Sequence, residues 1–145
     1  MLFQKAMGML NTRLPKVISP GTHAIIDYAA AAAFFIAGAR AWRQHKRAAL
    51  AALFCGAMEA STAMLTDYPG GLVKAIDFDT HGKIDAGFAG LVATMPNFMG
   101  FASDPQAGFF RGQSLALGAA TAMTDFRADV HAGRRERQLN RRVAA

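Results

Sequence analysis

Charged residues are scarce in this chain of 145 residues: Lys, Arg, Asp and Glu make up 18% of it, whereas hydrophobic residues make up 52%. A soluble domain usually carries about a quarter charged residues, so the composition favours a protein surrounded by lipid. Cysteine is also scarce, because Cys55 is the only one. A single cysteine excludes an internal disulfide bond and a zinc cluster built from cysteines. No serine stands in a nucleophile turn, and no glycine-rich segment predicts a phosphate loop, so we favour a function other than enzyme catalysis.

Four apolar segments account for most of the chain: residues 22–42, 48–68, 81–101 and 107–126. Each has about the twenty residues that a helix needs to cross a bilayer core. None carries the charged stripe that a helix of a soluble bundle presents opposite its apolar stripe. The sequence therefore predicts an all-α fold, a single membrane domain with a bundle of four transmembrane helices. A buried, alanine-rich soluble bundle is the alternative.

The basic residues lie next to the apolar segments. The net charge is +6, with one basic cluster between Arg40 and Arg47 and another in the tail after residue 126. This placement favours anionic lipid headgroups over nucleic acid as the partner of the tail. Most Lys and Arg fall on the side of the termini, so the positive-inside rule predicts a multi-pass protein with both termini in the cytoplasm. The cluster at Arg40 to Arg47 argues for the opposite orientation. Residues 1–12 are expected to form either a short amphipathic surface segment or a disordered start.

The chain repeats itself with a constant offset of 58 positions and no gap. His23 matches His81 and Asp27 matches Asp85 in this way. Further matches at the same offset are Leu14 with Leu72, Lys16 with Lys74, Ile18 with Ile76, Thr22 with Thr80, Ile26 with Ile84, Ala31 with Ala89, Thr66 with Thr124 and Asp67 with Asp125; Tyr68 meets Phe126. We infer two tandem helical hairpins, residues 14–68 and 72–126, followed by a basic tail at residues 127–145. Since each hairpin crosses twice, a pseudo-twofold axis along the membrane normal should relate them.

This symmetry predicts a cluster of polar side chains at one membrane face. A histidine and an aspartate four positions apart share one helix face, and both copies begin helices on the side of the termini. The predicted cluster contains His23, Asp27, Asp67, His81, Asp85 and Asp125. Thr22 and Thr80 are expected to cap the helices that carry the histidines. Asp67 and Asp125 end helices, where the helix dipole disfavours negative charge, so each needs a partner: a metal, a protonated histidine, Lys74 or Lys83.

At these residues the chain resembles the SPW-repeat proteins, small bacterial and archaeal membrane proteins that pair two helices per repeat. The resemblance covers roughly residues 12–126 and rests on four motifs: His-x-x-Ile-Asp-Tyr at 23–28, Leu-Thr-Asp-Tyr at 65–68, His-x-x-Ile-Asp at 81–85 and Met-Pro-Asn-Phe-Met-Gly-Phe at 95–101. The chain departs from the family's Pro-Trp pair, because Asn97 follows Pro96 and the first copy has Gly38 and Ala39 instead. The resemblance implies the architecture and a location in the bacterial inner membrane, and it assigns no biochemical role.

The polar cluster admits several functions. Two histidines and four carboxylates are the ligand types of a di-iron or di-manganese bundle, with His23, His81, Asp27 and Asp85 as the metal candidates. Alternatively, His23 and His81 ligate a haem from opposite sides, or the cluster holds a proton. The chain is then a small membrane binding or accessory protein. The second hypothesis is a structural or assembly module in which these side chains only lock the helices together, without a cofactor. The sequence leaves open a homo-oligomer or a larger membrane complex.

Glu59 is a secondary candidate because it is the only charged residue of the second apolar segment before the closing Asp67. An unpaired carboxylate there is costly, so it should be protonated, face the bundle or mark a pathway. Its counterpart in the other copy is Leu117. We favour a local hydrogen bond from Arg111 or Gln113 over a role in transport.

Overall fold

The computed structural model describes residues 14–130 and 139–143, and four helices make up most of this part of the chain. They are α1 (Pro20–Ala41), α2 (Lys46–Leu65), α3 (Phe78–Phe98) and α4 (Ala107–Met123). The described residues contain two isolated β-bridges and no strand, so the prediction of an all-α fold is confirmed. The predicted amphipathic segment at residues 1–12 and most of the basic tail lie outside the described residues.

The helices form two hairpins. α1 packs mainly against α2, and α3 packs mainly against α4, while smaller contacts join α1 to α4 and α2 to α3. Gly38 permits close approach in the first hairpin, since a Cβ atom there would lie only 2.8 Å from Leu53 Cγ. Small residues at helix contacts are typical of helix packing in lipid.

α1 and α3 begin with equivalent caps. The side chain of Ser19 accepts a hydrogen bond from the backbone N–H of Thr22, and that of Asp77 accepts one from Thr80. Ser19 and Asp77 are 58 positions apart, so the repeat extends to the caps. The prediction that Thr22 and Thr80 are the caps is wrong, because both helices begin earlier and the threonines lie in their first turns. Hydrogen bonds from Thr80 hold the pKa of the Asp77 carboxyl below its usual range.

The chain segments next to the helices pair across the two hairpins at one end of the bundle. Asp125 donates its backbone N–H to Ile18 O at 3.2 Å, and Asp67 donates its own to Ile76 O at 2.7 Å. The end of each copy's second helix thus joins the start of the other copy's first helix. Exchange of the hairpins converts one contact into the other, as a twofold axis requires.

An aromatic cluster fills the middle of the bundle. Phe34 of α1 is fully buried and makes ring contacts with Phe88 of α3 and with Phe109 and Phe110 of α4, at centroid distances of 5.5 to 6.1 Å. Phe34 therefore joins the first hairpin to both helices of the second.

Two of the four helices have the length and composition of a membrane span. α1 and α2 are long and apolar enough to cross a bilayer. α4 has 17 residues, and α3 carries Lys83 and Asp85 near its start. By this criterion the structure supports two candidate spans rather than the four that we predicted.

Candidate functional site

Four buried side chains meet between the two hairpins. His23 and Asp27 lie in the first two turns of α1, and His81 and Asp85 lie in the first two turns of α3. All four are 5% exposed or less. One nitrogen or oxygen atom of each lies within 4.8 Å of the corresponding atoms of the other three. We call these four residues the His/Asp centre.

The two imidazoles point their Nε2 atoms at each other and at both carboxylates. The Nε2 atoms of His23 and His81 are 3.2 Å apart. Asp85 Oδ2 lies 2.9 Å from His23 Nε2 and 3.0 Å from His81 Nε2. Asp27 Oδ1 lies 3.4 Å from His23 Nε2, and Asp27 Oδ2 lies 3.2 Å from His81 Nε2. Each histidine is thus at a similar distance from the aspartate of its own copy and from that of the other copy, as expected for two related copies.

The other ring nitrogen of each histidine is held by a threonine of the opposite hairpin. His23 Nδ1 lies 2.8 Å from Thr124 Oγ1, and His81 Nδ1 lies 2.7 Å from Thr66 Oγ1. Each threonine hydroxyl donates its one proton to a backbone carbonyl of its own helix at 2.7 Å. The hydroxyl must therefore accept from the histidine, so Nδ1 carries a proton in both rings. This bond fixes the orientation of each ring.

A consequence of this tautomer is that the centre requires positive charge. With Nδ1 protonated, two neutral imidazoles present Nε2 lone pairs to each other and to two carboxylates. Four acceptors would then converge without a donor among them, which is unfavourable in a buried site. A divalent cation satisfies all four acceptors, and so do protons on the Nε2 atoms. In either case two positive charges balance the two carboxylates.

Tyr68 breaks the symmetry of the centre. Its hydroxyl donates to Asp27 Oδ2 at 2.6 Å and is fully buried. The residue at the equivalent position is Phe126, which has no hydroxyl for Asp85. Phe126 instead packs against the ring of His23 at a centroid distance of 5.2 Å. The two carboxylates are therefore inequivalent. A tyrosine orients Asp27, whereas the side-chain partners of Asp85 within the described residues are the two histidines.

Asp67 and Asp125 lie outside the His/Asp centre, contrary to our expectation. Asp67 is about one third exposed and pairs with Lys74 at 2.7 Å, one of the partners proposed from the sequence. Asp125 accepts a hydrogen bond from the backbone N–H of Arg127 at 3.1 Å. The reason is that α2 and α4 end just before Thr66 and Thr124. It is the threonines that turn inward, and the aspartates that follow them point away.

Glu59 is buried in the middle of α2 with 4% exposure. In the described part of the chain, no group makes a hydrogen bond to its Oε1 atom. The predicted partner Arg111 instead donates to Ala102 O at 2.9 Å. Asp27, Asp85 and His81 are near enough to act on Glu59 electrostatically. The preferred interpretation of a local hydrogen bond to Glu59 from Arg111 or Gln113 is therefore wrong for the Oε1 atom.

His45, to which the sequence assigned no role, joins the hairpins at the opposite end of the bundle. Its Nδ1 accepts from the backbone N–H of Ala48 and caps α2, while its Nε2 lies 2.8 Å from Asp104 Oδ2 in the connection between α3 and α4. The ring also contacts Phe101. No match at the 58-residue offset marks this pair, because Ser103 occupies the position equivalent to His45.

The geometry narrows the ligands considered from the sequence. A haem held by His23 and His81 does not fit, because Nε2 atoms 3.2 Å apart leave no room for a porphyrin between them. A dinuclear centre needs two ions about 3.5 to 4 Å apart, and the di-iron bundles hold them with about six side chains, whereas this centre supplies four. The donor set of two imidazoles and two carboxylates suits one ion such as Zn²⁺ or another divalent transition metal.

The two threonines are the main site residues that the sequence analysis missed. Their identity at the repeat offset is a signal in the sequence that could have found them, but the aspartates next to them are better metal ligands by residue type.

Comparison of the chain with protein-family models, with curated proteins and with solved structures finds no match.

Proposed function

We propose that this chain is a small helical membrane protein that binds one divalent transition-metal ion in the His/Asp centre. The observation that carries the proposal is the convergence of four buried ligand atoms, all within 4.8 Å of one another, with each histidine Nε2 atom 2.9 to 3.4 Å from the other histidine and from both carboxylates. Zinc binds nitrogen and oxygen ligands at about 2.0 to 2.2 Å, which corresponds to about 3.3 to 3.6 Å between neighbouring ligands of a tetrahedron. The distances from the two histidines are thus close to those around a small tetrahedral cation.

The surroundings of the centre support this proposal. Metal-binding histidines usually donate their second ring nitrogen to a fixed acceptor, which sets the tautomer and orients the ring. Thr66 and Thr124 supply that acceptor on both sides. With four protein ligands and little exposure, the site resembles closed structural metal sites more than open catalytic ones. A role in holding or carrying the ion, without catalysis on it, fits this arrangement.

The exposed surface supports a location in the membrane for all four helices. Each helix exposes large apolar side chains, among them Ile25 on α1, Phe54 on α2, Phe98 on α3 and Leu115 on α4. The carboxylates deepest in the helices are by contrast buried, and the exposed Lys83 and Arg111 lie in the first two turns of α3 and α4. Apolar side chains outside and a polar centre inside are unfavourable in water and expected in lipid. We therefore propose four spans, although α3 and α4 are less apolar than α1 and α2.

A labelling experiment tests the four spans. Single cysteines at Gln44→Cys and Ser103→Cys, in the two short connections, should react with an impermeant thiol reagent from one side of the membrane. Val73→Cys, between the hairpins, should react only from the other side. The native Cys55 is fully buried and serves as the background control. Reaction of all three new cysteines from one side contradicts the four-span arrangement.

Metal binding is tested on the full chain purified in detergent. We expect one Zn²⁺ per chain by elemental analysis, and affinity that falls as the pH is lowered, because the ligand atoms must lose their protons to bind the ion. Titration of chelator-treated protein with Zn²⁺ should restore the same stoichiometry. Protein that stays metal-free in excess Zn²⁺ at neutral pH contradicts the proposal.

A structural module is the second candidate, and one observation favours it. The bonds from His23 to Thr124 and from His81 to Thr66 both join opposite hairpins. Under this hypothesis, protons on the Nε2 atoms supply the positive charge. Its signature is metal-free protein whose stability does not change on addition of Zn²⁺, since a ligand that binds the native state must stabilise it.

The finer expectations from the sequence accompany this proposal as predictions. They are the kinship with SPW-repeat proteins, the bacterial inner membrane, the cytoplasmic termini and the attraction of the basic tail to anionic lipid. The labelling experiment also decides the orientation, because it identifies the side on which Val73→Cys and the termini lie.

A further inference from the structure

Among the described residues, Glu59 is the one buried carboxylate that the proposed metal centre does not use. It lies six residues before the end of α2, about 9 Å along the helix. Asp27 lies seven residues after the start of α1, at a similar depth from the same end of the bundle. Glu59 is therefore level with the aspartates of the centre and deeper than the histidines. Its electrostatic coupling to Asp27, Asp85 and His81 agrees with this position.

The His/Asp centre poses a problem of access. Its four ligands are almost fully buried, and rings of Phe78, Phe126 and Tyr68 pack against the histidines. An ion cannot leave four such ligands in one step without a large cost, because a bare divalent ion in an apolar interior is strongly disfavoured. Exchange needs another oxygen or nitrogen donor beside the centre.

Glu59 meets this requirement. Its Oε1 atom is buried and makes no hydrogen bond within the described residues. Leaving a carboxylate oxygen without a partner costs free energy in a protein interior, more so in a membrane. The equivalent position in the other copy is the buried Leu117, so packing at this depth does not itself require a polar side chain.

Resting on the proposed metal centre, we propose that Glu59 is the exchange ligand through which the ion enters and leaves it. In the exchange step the ion gains a bond to a Glu59 oxygen and then loses one to a ligand of the centre. The charge of the ion does not change, and no electron is transferred. Zinc sites accommodate such a step, since they expand from four to five ligands. The ion then enters and leaves the centre on one side only, that of the first hairpin, because Glu59 lies on α2.

The test is the rate at which Zn²⁺-loaded chain in detergent releases its ion to excess chelator. Glu59→Gln keeps the size of the side chain and removes its charge. We expect it to slow release roughly tenfold, equivalent to about 1.4 kcal/mol in the barrier, while one Zn²⁺ per chain still binds. Glu59→Asp keeps a carboxylate and should release the ion at a rate closer to that of the unmodified chain.

The repeat offers a matched control. The double variant Glu59→Leu and Leu117→Glu moves the carboxylate to the equivalent position on the other side of the centre. If Glu59 acts as a ligand, this move of the carboxylate should restore fast release of Zn²⁺. The helical content of the double variant should be unchanged. A folded double variant that releases as slowly as Glu59→Gln contradicts the proposal.

Other outcomes separate this inference from the proposed function. If the unmodified chain binds no Zn²⁺, the metal centre itself is wrong, and this appears before any release is measured. If it binds Zn²⁺ and Glu59→Gln releases it as fast or faster, the metal centre stands and the exchange role of Glu59 is overturned.

Discussion

Chains with both His23→Gln and His81→Gln should purify without bound metal and should fail to bind Zn²⁺ on titration. Glutamine can still contact the threonine hydroxyls, but it offers no imidazole nitrogen to an ion. Loss of two of four ligands removes most of the binding free energy of a closed site. We expect affinity to fall by more than the roughly 10 to 100-fold that substitution of an outer-shell partner costs. Isothermal titration and elemental analysis of the purified variant measure the effect.

His45→Gln is the matched control for the double variant. His45 also lies next to a carboxylate, but it is only partly buried and lies at the opposite end of the bundle with Asp104. This substitution should leave one Zn²⁺ per chain. Equal loss of metal in the control and in the double variant would mean that the ion binds elsewhere. If the unmodified chain binds no metal and the double variant fails to fold, the structural module is favoured.

Phe34→Ala should be the most destabilising single substitution in the core. The side chain is fully buried and contacts aromatic rings on α3 and α4. Its removal leaves a cavity where the hairpins meet, and truncation of a buried phenylalanine typically costs about 3 to 5 kcal/mol. The cavity and the lost contacts persist in lipid, where packing drives helix association. Unfolding in mixed detergent, followed by circular dichroism, measures the loss.

Phe98→Ala provides the comparison for Phe34→Ala. Phe98 is 84% exposed at the end of α3, so its truncation opens no cavity. We expect a change within about 0.5 kcal/mol, as for most surface substitutions. Similar losses in the two variants would contradict the assignment of Phe34 to the contact between the hairpins.

The four helices and the His/Asp centre can be predicted from the sequence because both depend on regular periodicity. Apolar segments of about twenty residues define the four helices, and the 58-residue offset places His23 and Asp27 opposite His81 and Asp85. The helix starts were less predictable. Ser19 and Asp77 are as good caps as Thr22 and Thr80, and the sequence alone does not decide between candidates three positions apart.

The errors at the site arise where a helix ends. One residue of difference in the last turn decides whether Thr66 or Asp67 faces inward, and local pairing with Lys74 draws the aspartate outward. The error at Glu59 has a different cause. The partners of Glu59 depend on how the hairpins pack, and Arg111 instead binds a backbone carbonyl in the connection between α3 and α4. The link between His45 and Asp104 lies in the divergent connections, where the repeat gives no information.

The crossed pairing of histidine and threonine means that neither half of the chain holds a whole binding site. Residues 14–68 carry His23 but not Thr124, and they carry Thr66 without its His81. A separately expressed first half would therefore need a second molecule of itself, in a homodimer, to reconstitute the proposed metal centre. In the intact chain, the twelve-residue connection between Leu65 and Phe78 keeps the two hairpins together. Assembly of the site is therefore independent of protein concentration.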